Sequence, residues 1–358
     1  MQPPNKKSQR LSRAEGIKLI QEAPLGQLMR RAHEVRMQHH PEARVTYVCD
    51  TNPNYTNICT TRCRFCAFWR AEGSRDAYTL SPAQLSERVS KAACAGATTV
   101  LLQGGHNPHM LLADWLAYIQ AIQTATPDIH IHPFGPAEIA FMAENEAINI
   151  GTILQQLWDV GIRTMPGGGA EILSDRVRSA IAPEKCSALT WLEIMMQAHK
   201  IGFKTTATLM YGHLEGPKDI IDHLLALRNL QDQTGGFQSF IPWSFKPGKT
   251  PLGRRIQQTA SPQMYLRIIS VARLMLDNFA HIQSSWFSEE RQAGQLGLLA
   301  GADDFGGLLI EENVLDTAGH SPTISIQDLE QDIHAMGFEP TRRDSYYKYI
   351  ANSYSGSH

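Results

Sequence analysis

Short apolar runs alternate with longer amphipathic segments along most of the chain. Runs of the strand type, bounded by turn residues, occupy 44–49, 98–103, 129–134, 162–165, 204–211, 238–243, 282–286 and 302–306. Between them, apolar residues recur at helical spacing in 81–95, 115–122, 154–158, 191–199, 219–231, 261–279 and 289–299. A strand pattern that repeatedly gives way to a helical one predicts parallel βαβ units. About eight such strands predict a closed (β/α)8 TIM-type barrel, and a six-stranded partial barrel differs from it by only two elements. Ahead of the first strand, Ser12 and Glu15 stand at capping-box spacing. Ile17, Ile20, Leu25, Leu28, Met29, Ala32 and Val35 follow at helical spacing, with Pro24 dividing two helices. After the last strand, 326–336 has the pattern of one more helix, expected to close the barrel at its bottom or side. The expected organisation is a helical N-terminal extension over 1–43, a barrel over 44–320 and a C-terminal tail over 321–358.

Composition narrows the function classes. The chain has 358 residues, a formal net charge of -2 and a hydrophobic fraction of 42%, with acids and bases interspersed. That balance carries no nucleic-acid footprint and points to a small, roughly neutral partner. No stretch has the apolar length of a membrane span, and residues 1–7 lack the apolar core of a signal peptide, so a cytoplasmic location is expected. Six cysteines, three of them clustered, read as a metal site in a reducing compartment.

The clustered cysteines are Cys59, Cys63 and Cys66, spaced C-x3-C-x2-C just after the strand-like run 54–58. Three thiolates so spaced can wrap one face of a [4Fe-4S] cluster and leave one iron without a protein ligand. A zinc knuckle with a distant fourth ligand, or unpaired structural cysteines, are the alternatives. Zinc clips usually come in pairs, and Cys49, Cys94 and Cys186 offer no second clip.

In a parallel barrel the active site gathers at the C-terminal strand ends. That rule nominates the cysteines, Gln103-Gly104-Gly105, His132 to Glu138, 167–171, 211–215, Pro242-Trp243, Ser285-Trp286 and Asp303-Asp304. His130 and His132 share a strand face, which is also how a metal-dependent hydrolase begins its site; His213 and Asp304 are the nominal further ligands. That reading leaves the cysteines unexplained. A plain electron carrier would need no barrel with polar groups at so many strand ends. Glu171 is equally compatible with a helix N-terminal acid, and Trp243, Phe245 and Trp286 with core positions.

The cysteine spacing, with Phe65 before the last cysteine, resembles the signature of the radical S-adenosylmethionine (radical SAM) superfamily. The resemblance implies that SAM chelates the open iron of a [4Fe-4S] cluster at Cys59, Cys63 and Cys66. It further implies that Phe68, Gln103, Gly104, Gly105 and Glu171 contact SAM. Longer strings, among them YTNICTTRCRFCAF, HIHPFGPAEI, PGGGAEIL, TTATLMYGHLE, FQSFIPW and DDFGGLLIEENV, resemble the futalosine-pathway and deazaflavin-pathway branch of that superfamily. The activity this implies belongs to menaquinone biosynthesis. It is a ring closure in dehypoxanthine futalosine, begun by removal of the ribose C4' hydrogen and completed on the benzoate ring. The aminofutalosine synthase and FO synthase reactions are its alternatives. On this reading Glu138, His213 and Glu215 are the proton acceptors to test, and His132, Trp243 and Trp286 face the substrate. An external donor such as flavodoxin or ferredoxin supplies the electron. Arg176 and Arg178 leave the benzoate partner open. The chain departs from the branch at His106-Asn107-Pro108, within 133–135 at Pro133 and Gly135, and at Cys49.

Overall fold

A computed structural model describes residues 10–320 and 324–350. Residues 1–9 of the expected extension, and 321–323 and 351–358 of the expected tail, lie outside the described residues. The strands are β1 (Arg44–Asn52), β2 (Thr99–Leu102), β3 (His130–Pro133), β4 (Thr164–Met165), β5 (Lys204–Tyr211), β6 (Phe237–Ser244), β7 (His281–Ile282), β8 (Asp304–Glu312) and β9 (Glu339–Arg342). Every pairing between them is parallel, in the orders β3-β2-β1-β8 and β4-β5-β6-β7. The two sheets meet at two seams. A single parallel bridge joins Gln283 to Asp304 at one. At the other, the Thr164 hydroxyl is joined to His130 Nε2 at 2.6 Å and to His132 Nδ1 at 2.7 Å. With helices between successive strands, the two sheets form the expected (β/α)8 barrel.

The strands are buried on both faces because the barrel interior encloses one and helices cover the other. In β1 every residue after Arg44 is buried. The helices begin where their caps predict. Ser12 accepts from the Glu15 amide at 3.3 Å while Glu15 Oε2 accepts from the Ser12 amide at 2.8 Å. The two N-terminal helices, Arg13–Glu22 and Leu25–His39, lie outside the barrel. Gly16 marks how closely the first one packs, since a Cβ there would come within 3.0 Å of Met275 Sδ and 3.1 Å of Ile221 Cδ1.

Five elements differ from expectation. β8 runs to Glu312 instead of ending at 306, because Gly306 (φ 96°) forms an irregularity beside Thr46 and Tyr47, not a strand end. Asp303 and Asp304 therefore stand at the N-terminal end of β8, away from the face where the barrel rule seeks chemistry. β7 stops at Ile282, and Trp286 opens the short helix Trp286–Glu289 in place of ending a strand. Helix Pro136–Glu146 was hidden behind the run 129–134, although Pro136 at its first position and Glu138 bonded back to the Gly135 amide at 2.8 Å are start signals. The run 54–58 holds only the isolated bridges Thr56–Thr79 and Ile58–Arg70.

β9 was not expected at all. It pairs with the N-terminal half of β1, from Arg44↔Glu339 to Tyr47↔Arg342, where β2 leaves β1 free by pairing only at Asp50 and Thr51. Residues after β9 then turn into the barrel. Ser345 Oγ lies 2.8 Å from Thr99 Oγ1, and the Tyr347 ring stacks on His281 with centroids 3.7 Å apart. The tail thus supplies the floor of the barrel.

Candidate active site

The cysteine loop is fixed from three sides. The Cys59 amide donates to Arg70 O at 3.1 Å, Thr60 to His106 O at 3.0 Å and Arg64 to Ile181 O at 2.8 Å. Arg62 takes a positive φ of 46° at the turn. All three cysteines are free, and they line one cavity of about 180 Å³ with Phe68, Gly104, Gly105, His106, Glu138 and Lys185. Burial pushes the Cys63 thiol up to about 12 and raises that of Cys66, so ligation must displace their protons. Among the described residues, the one triad close enough to share a single ion is His40, His281 and Asp303 at the opposite end of the barrel. Cys59, Cys63 and Cys66 do not form such a triad, so their sulfurs do not converge as ligands of one zinc ion would. Three free thiols lining one cavity are a donor set that fits a [4Fe-4S] cluster.

Gly104 and Gly105 are needed for a reason other than ligand approach. A Cβ on Gly104 would lie 2.6 Å from the Tyr55 ring, and one on Gly105 would lie 2.2 Å from Ile58 O. Their amides are also engaged, Gly104 with Glu138 Oε1 at 3.1 Å and Gly105 with Thr56 O at 2.8 Å. The glycines therefore seat the strand-end loop on the chain leading to the cysteines. Glu138 completes that brace by accepting from the Tyr55 hydroxyl at 2.9 Å. Burial pushes its carboxyl up to about 7, against the lowering effect of those hydrogen bonds.

A second cavity of about 370 Å³ fills the barrel and shares Phe65, Gln103, Gly168, Gly169 and Val314 with the first. Glu171 and Lys185 stand at the junction, one lining each cavity, with Lys185 Nζ donating to Glu171 Oε1 at 2.7 Å. Burial works against the ammonium, but the neighbouring Cys63 and Glu171 keep Lys185 firmly charged. Glu171 itself has φ 47° and precedes the helix Asp175–Ile181, so it is not a residue of that helix's first turn.

His132 and Trp243 line the barrel cavity. Burial pushes the His132 imidazole down to about 3 and keeps it neutral. His130 points elsewhere, its ring edge-on to Tyr346 at 5.0 Å. Trp286 does not reach the cavity. It is buried in the core, stacked on Phe305 at 6.2 Å, and a Cβ on Gly294 would lie 2.4 Å from its own Cβ. His213 and Glu215 line neither cavity. Glu215 accepts from the Gly212 and His213 amides at 2.6 and 2.9 Å, and His213 Nε2 lies 3.1 Å from Met210 O. The hydrolase alternative loses its carboxylate too, because Asp304 sits at the barrel floor paired with Arg343.

Residues that the sequence did not single out also line the cavity: Asp50, Ser239, Gln283, Arg343, Ser345 and Tyr347. Asp50 had a signal, being the lone acid inside the apolar run of β1. Burial pushes its carboxyl up to about 7, with Arg343 pulling the other way. The remainder are brought in by the unexpected β9 or lie inside ordinary strand sequence. Lys185 had no periodic or motif signal.

Comparisons with known proteins agree with this geometry. Residues 53–227 match the model of the radical SAM superfamily, and 234–355 match that of the CofH/MqnC C-terminal region. A 5-amino-6-(D-ribitylamino)uracil–L-tyrosine 4-hydroxyphenyl transferase of Methanopyrus kandleri is 39% identical over 326 residues, covering 90% of this chain and 88% of that one. A cyclic dehypoxanthine futalosine synthase of Streptomyces coelicolor is 36% identical over 347 residues, covering 95% and 86%. Another, of Halalkalibacterium halodurans, is 34% identical over 342 residues, covering 96% and 92%. Among solved structures, methylornithine synthase superposes with a TM-score of 0.74 at 19% identity, covering 94% of this chain and 95% of that one. The hydrogenase maturase HydG of Carboxydothermus hydrogenoformans gives 0.69 at 17% identity, covering 94% and 77%. The chain belongs to the radical SAM superfamily, in the group that carries the CofH/MqnC C-terminal region.

Proposed function

We propose that the chain converts dehypoxanthine futalosine to its cyclic form, the activity named for its Streptomyces and Halalkalibacterium relatives. The observation that carries this reading is that the cysteine cavity opens onto a single barrel cavity through Gln103, Gly168 and Gly169. A ring closure within one molecule needs one substrate held in one chamber beside the radical source.

Cys59, Cys63 and Cys66 would hold the cluster, and Phe68, Gln103, Gly104, Gly105, Glu171 and Lys185 surround the space for SAM. When bound, the two together supply a 5'-deoxyadenosyl radical that removes the ribose C4' hydrogen. The chain's own residues do the rest. Leu101, Ile241, Trp243 and Leu309 keep water out of the chamber, and His132 offers a neutral imidazole to the substrate. Of the three expected proton acceptors, Glu138 alone borders a cavity, with a carboxyl poised near neutral pH. The electron comes from an external carrier such as flavodoxin or ferredoxin. It approaches the outer face of the cysteine loop, where Arg62 and Arg64 are exposed.

The transferase named for the Methanopyrus relative is the second reading, favoured by the 39% identity. Anaerobic incubation of reconstituted protein with SAM, reductant and either substrate set separates the two. Cyclic product with 5'-deoxyadenosine from dehypoxanthine futalosine supports the first. Product only from tyrosine with the aminouracil overturns it in favour of the second.

A further inference from the structure

Buried polar groups in folded proteins almost always have hydrogen-bond partners, and the floor of the barrel cavity breaks that rule in one place. Asp50 Oδ1 is buried without a partner, and Ser239 Oγ and Tyr347 Oη, which interact with each other, have no other partner at hydrogen-bond distance. All three belong to residues that line the cavity. Asp50 comes from β1, Ser239 from β6 on the far sheet, and Tyr347 from the segment after β9. The space for the carboxylate is kept open, since a Cβ on Gly307 would lie 2.7 Å from Asp50 Oδ2.

The charges around this floor select what can occupy it. Arg343 is the cation there, and Asp304 already takes both its Nε and its Nη2. Its remaining amino group donates to Asp344 O at 3.1 Å. An entering anion would meet the Asp50 carboxylate with no free cation beside it. A group rich in donors would meet an acceptor and two hydroxyls that can accept or donate.

We propose that Asp50, with Ser239 and Tyr347, binds the vicinal hydroxyls of the substrate's ribose and so fixes how the sugar presents C4' to the cysteine cavity. This rests on the reading that the substrate carries a ribose, and it also suits the ribityl chain named for the transferase relatives. The acidic end of the substrate stays off the floor, because two carboxylates, Asp50 and Asp304, already share it.

The test is a binding cycle on the cluster-reconstituted protein under anaerobic conditions. Titration calorimetry would compare dehypoxanthine futalosine with its 2'-deoxy and 3'-deoxy analogues, on the native chain and on Asp50→Asn. A hydrogen bond to a charged group is worth about 10- to 100-fold in affinity. Removing a hydroxyl should cost the native chain about that factor and cost Asp50→Asn little more. Tyr347→Phe, which keeps the ring on His281, should show the same coupling at smaller size. Independent losses for hydroxyl and carboxylate would overturn the proposal. An Asp50→Asn defect equal for all three ligands would do so too, pointing to an amine or a packing role. If the coupling holds while the native chain forms no cyclic product, the reaction assigned above fails and the sugar site stands. Absence of binding to any of the three overturns both.

Discussion

The two ends of the barrel both bury charge, and they treat it in opposite ways. At the floor's outer edge, Asp303 is met by Arg273, by His281 Nδ1 at 2.6 Å and by the Ile282 amide at 2.8 Å. Burial would raise that carboxyl, yet Arg273 and the histidines hold it well below the usual range. Asp304 is likewise saturated by Arg343, Thr46 Oγ1 at 2.6 Å and the Gly306 amide at 2.9 Å. At the other end, burial leaves the Cys63 thiol raised and Glu138 poised near 7. The difference lies in the partners: a guanidinium keeps a buried carboxylate ionised, whereas Glu138, which accepts from the Tyr55 hydroxyl and two backbone amides, has its carboxyl raised by burial.

Cys63→Ala should break the contrast most completely. Loss of one of only three ligands is expected to abolish both cluster absorbance after reconstitution and SAM cleavage, with the far-ultraviolet circular dichroism unchanged. Retention of either would return the cysteines to a structural role.

At the saturated end, Arg343→Ala strands Asp304 without its cation. Breaking a buried pair from one side typically costs about 3–5 kcal/mol, which urea unfolding of the apoprotein would register. A loss below about 1 kcal/mol would mean that the floor relaxes around the vacancy, as exposed pairs do.

Gly105→Ala tests the seating of the cysteine loop. The added methyl meets Ile58 O at 2.2 Å, against backbone that cannot rotate away. Overpacking of this kind costs about 1–3 kcal/mol, and iron retention after gel filtration should fall with it.

Glu138 sharpens the comparison through pH. Its folded value of about 7 lies above the ordinary 4.5, so between those values the folded state holds more protons than the unfolded one. Its contribution to stability is therefore fully present below pH 4.5 and is lost as pH rises toward 7. Glu138→Gln should flatten that part of the apoprotein's melting-temperature profile, and an unaltered slope would assign it to Asp50 instead.

The smallest effect belongs to neither end. Arg176 pairs with Asp219 at 2.5 Å but its side chain is 65% exposed. Arg176→Ala should cost less than about 1 kcal/mol in the same denaturation assay. A larger loss of activity would reopen its candidacy for the benzoate carboxylate.

What could be read from the chain depended on whether its meaning was local. The cysteine loop, Gln103-Gly104-Gly105 and His132 line the two cavities as expected because spacing and strand ends fix their places within a few residues. His213 and Glu215 had the same strand-end signal, but the carboxylate turns back onto the amides of Gly212 and His213 and caps its own loop. Trp286 failed similarly, since a helix begins where β7 was expected to continue. Asp303 and Asp304 were assigned to the wrong end of β8 because Gly306-Gly307 resembles a turn until β1 is placed beside it. Arg343 acquires significance only from partners in distant strands, and Lys185 from the cavity and the Glu171 carboxylate that the fold places beside it, neither of which a pattern describes. The barrel itself was legible because alternation survives errors of one or two elements.

The pairing of β9 with β1 has a consequence for how the protein is made. The floor of the chamber is contributed by residues that leave the ribosome roughly three hundred positions after the strand they complete, a separation associated with slow closure. The partners that brace the cysteine loop and its glycine seat, Tyr55, Arg70, His106, Glu138 and Ile181, are all synthesised before β9. The contacts of the cysteine end are therefore complete in the chain before the segment that closes the chamber from below.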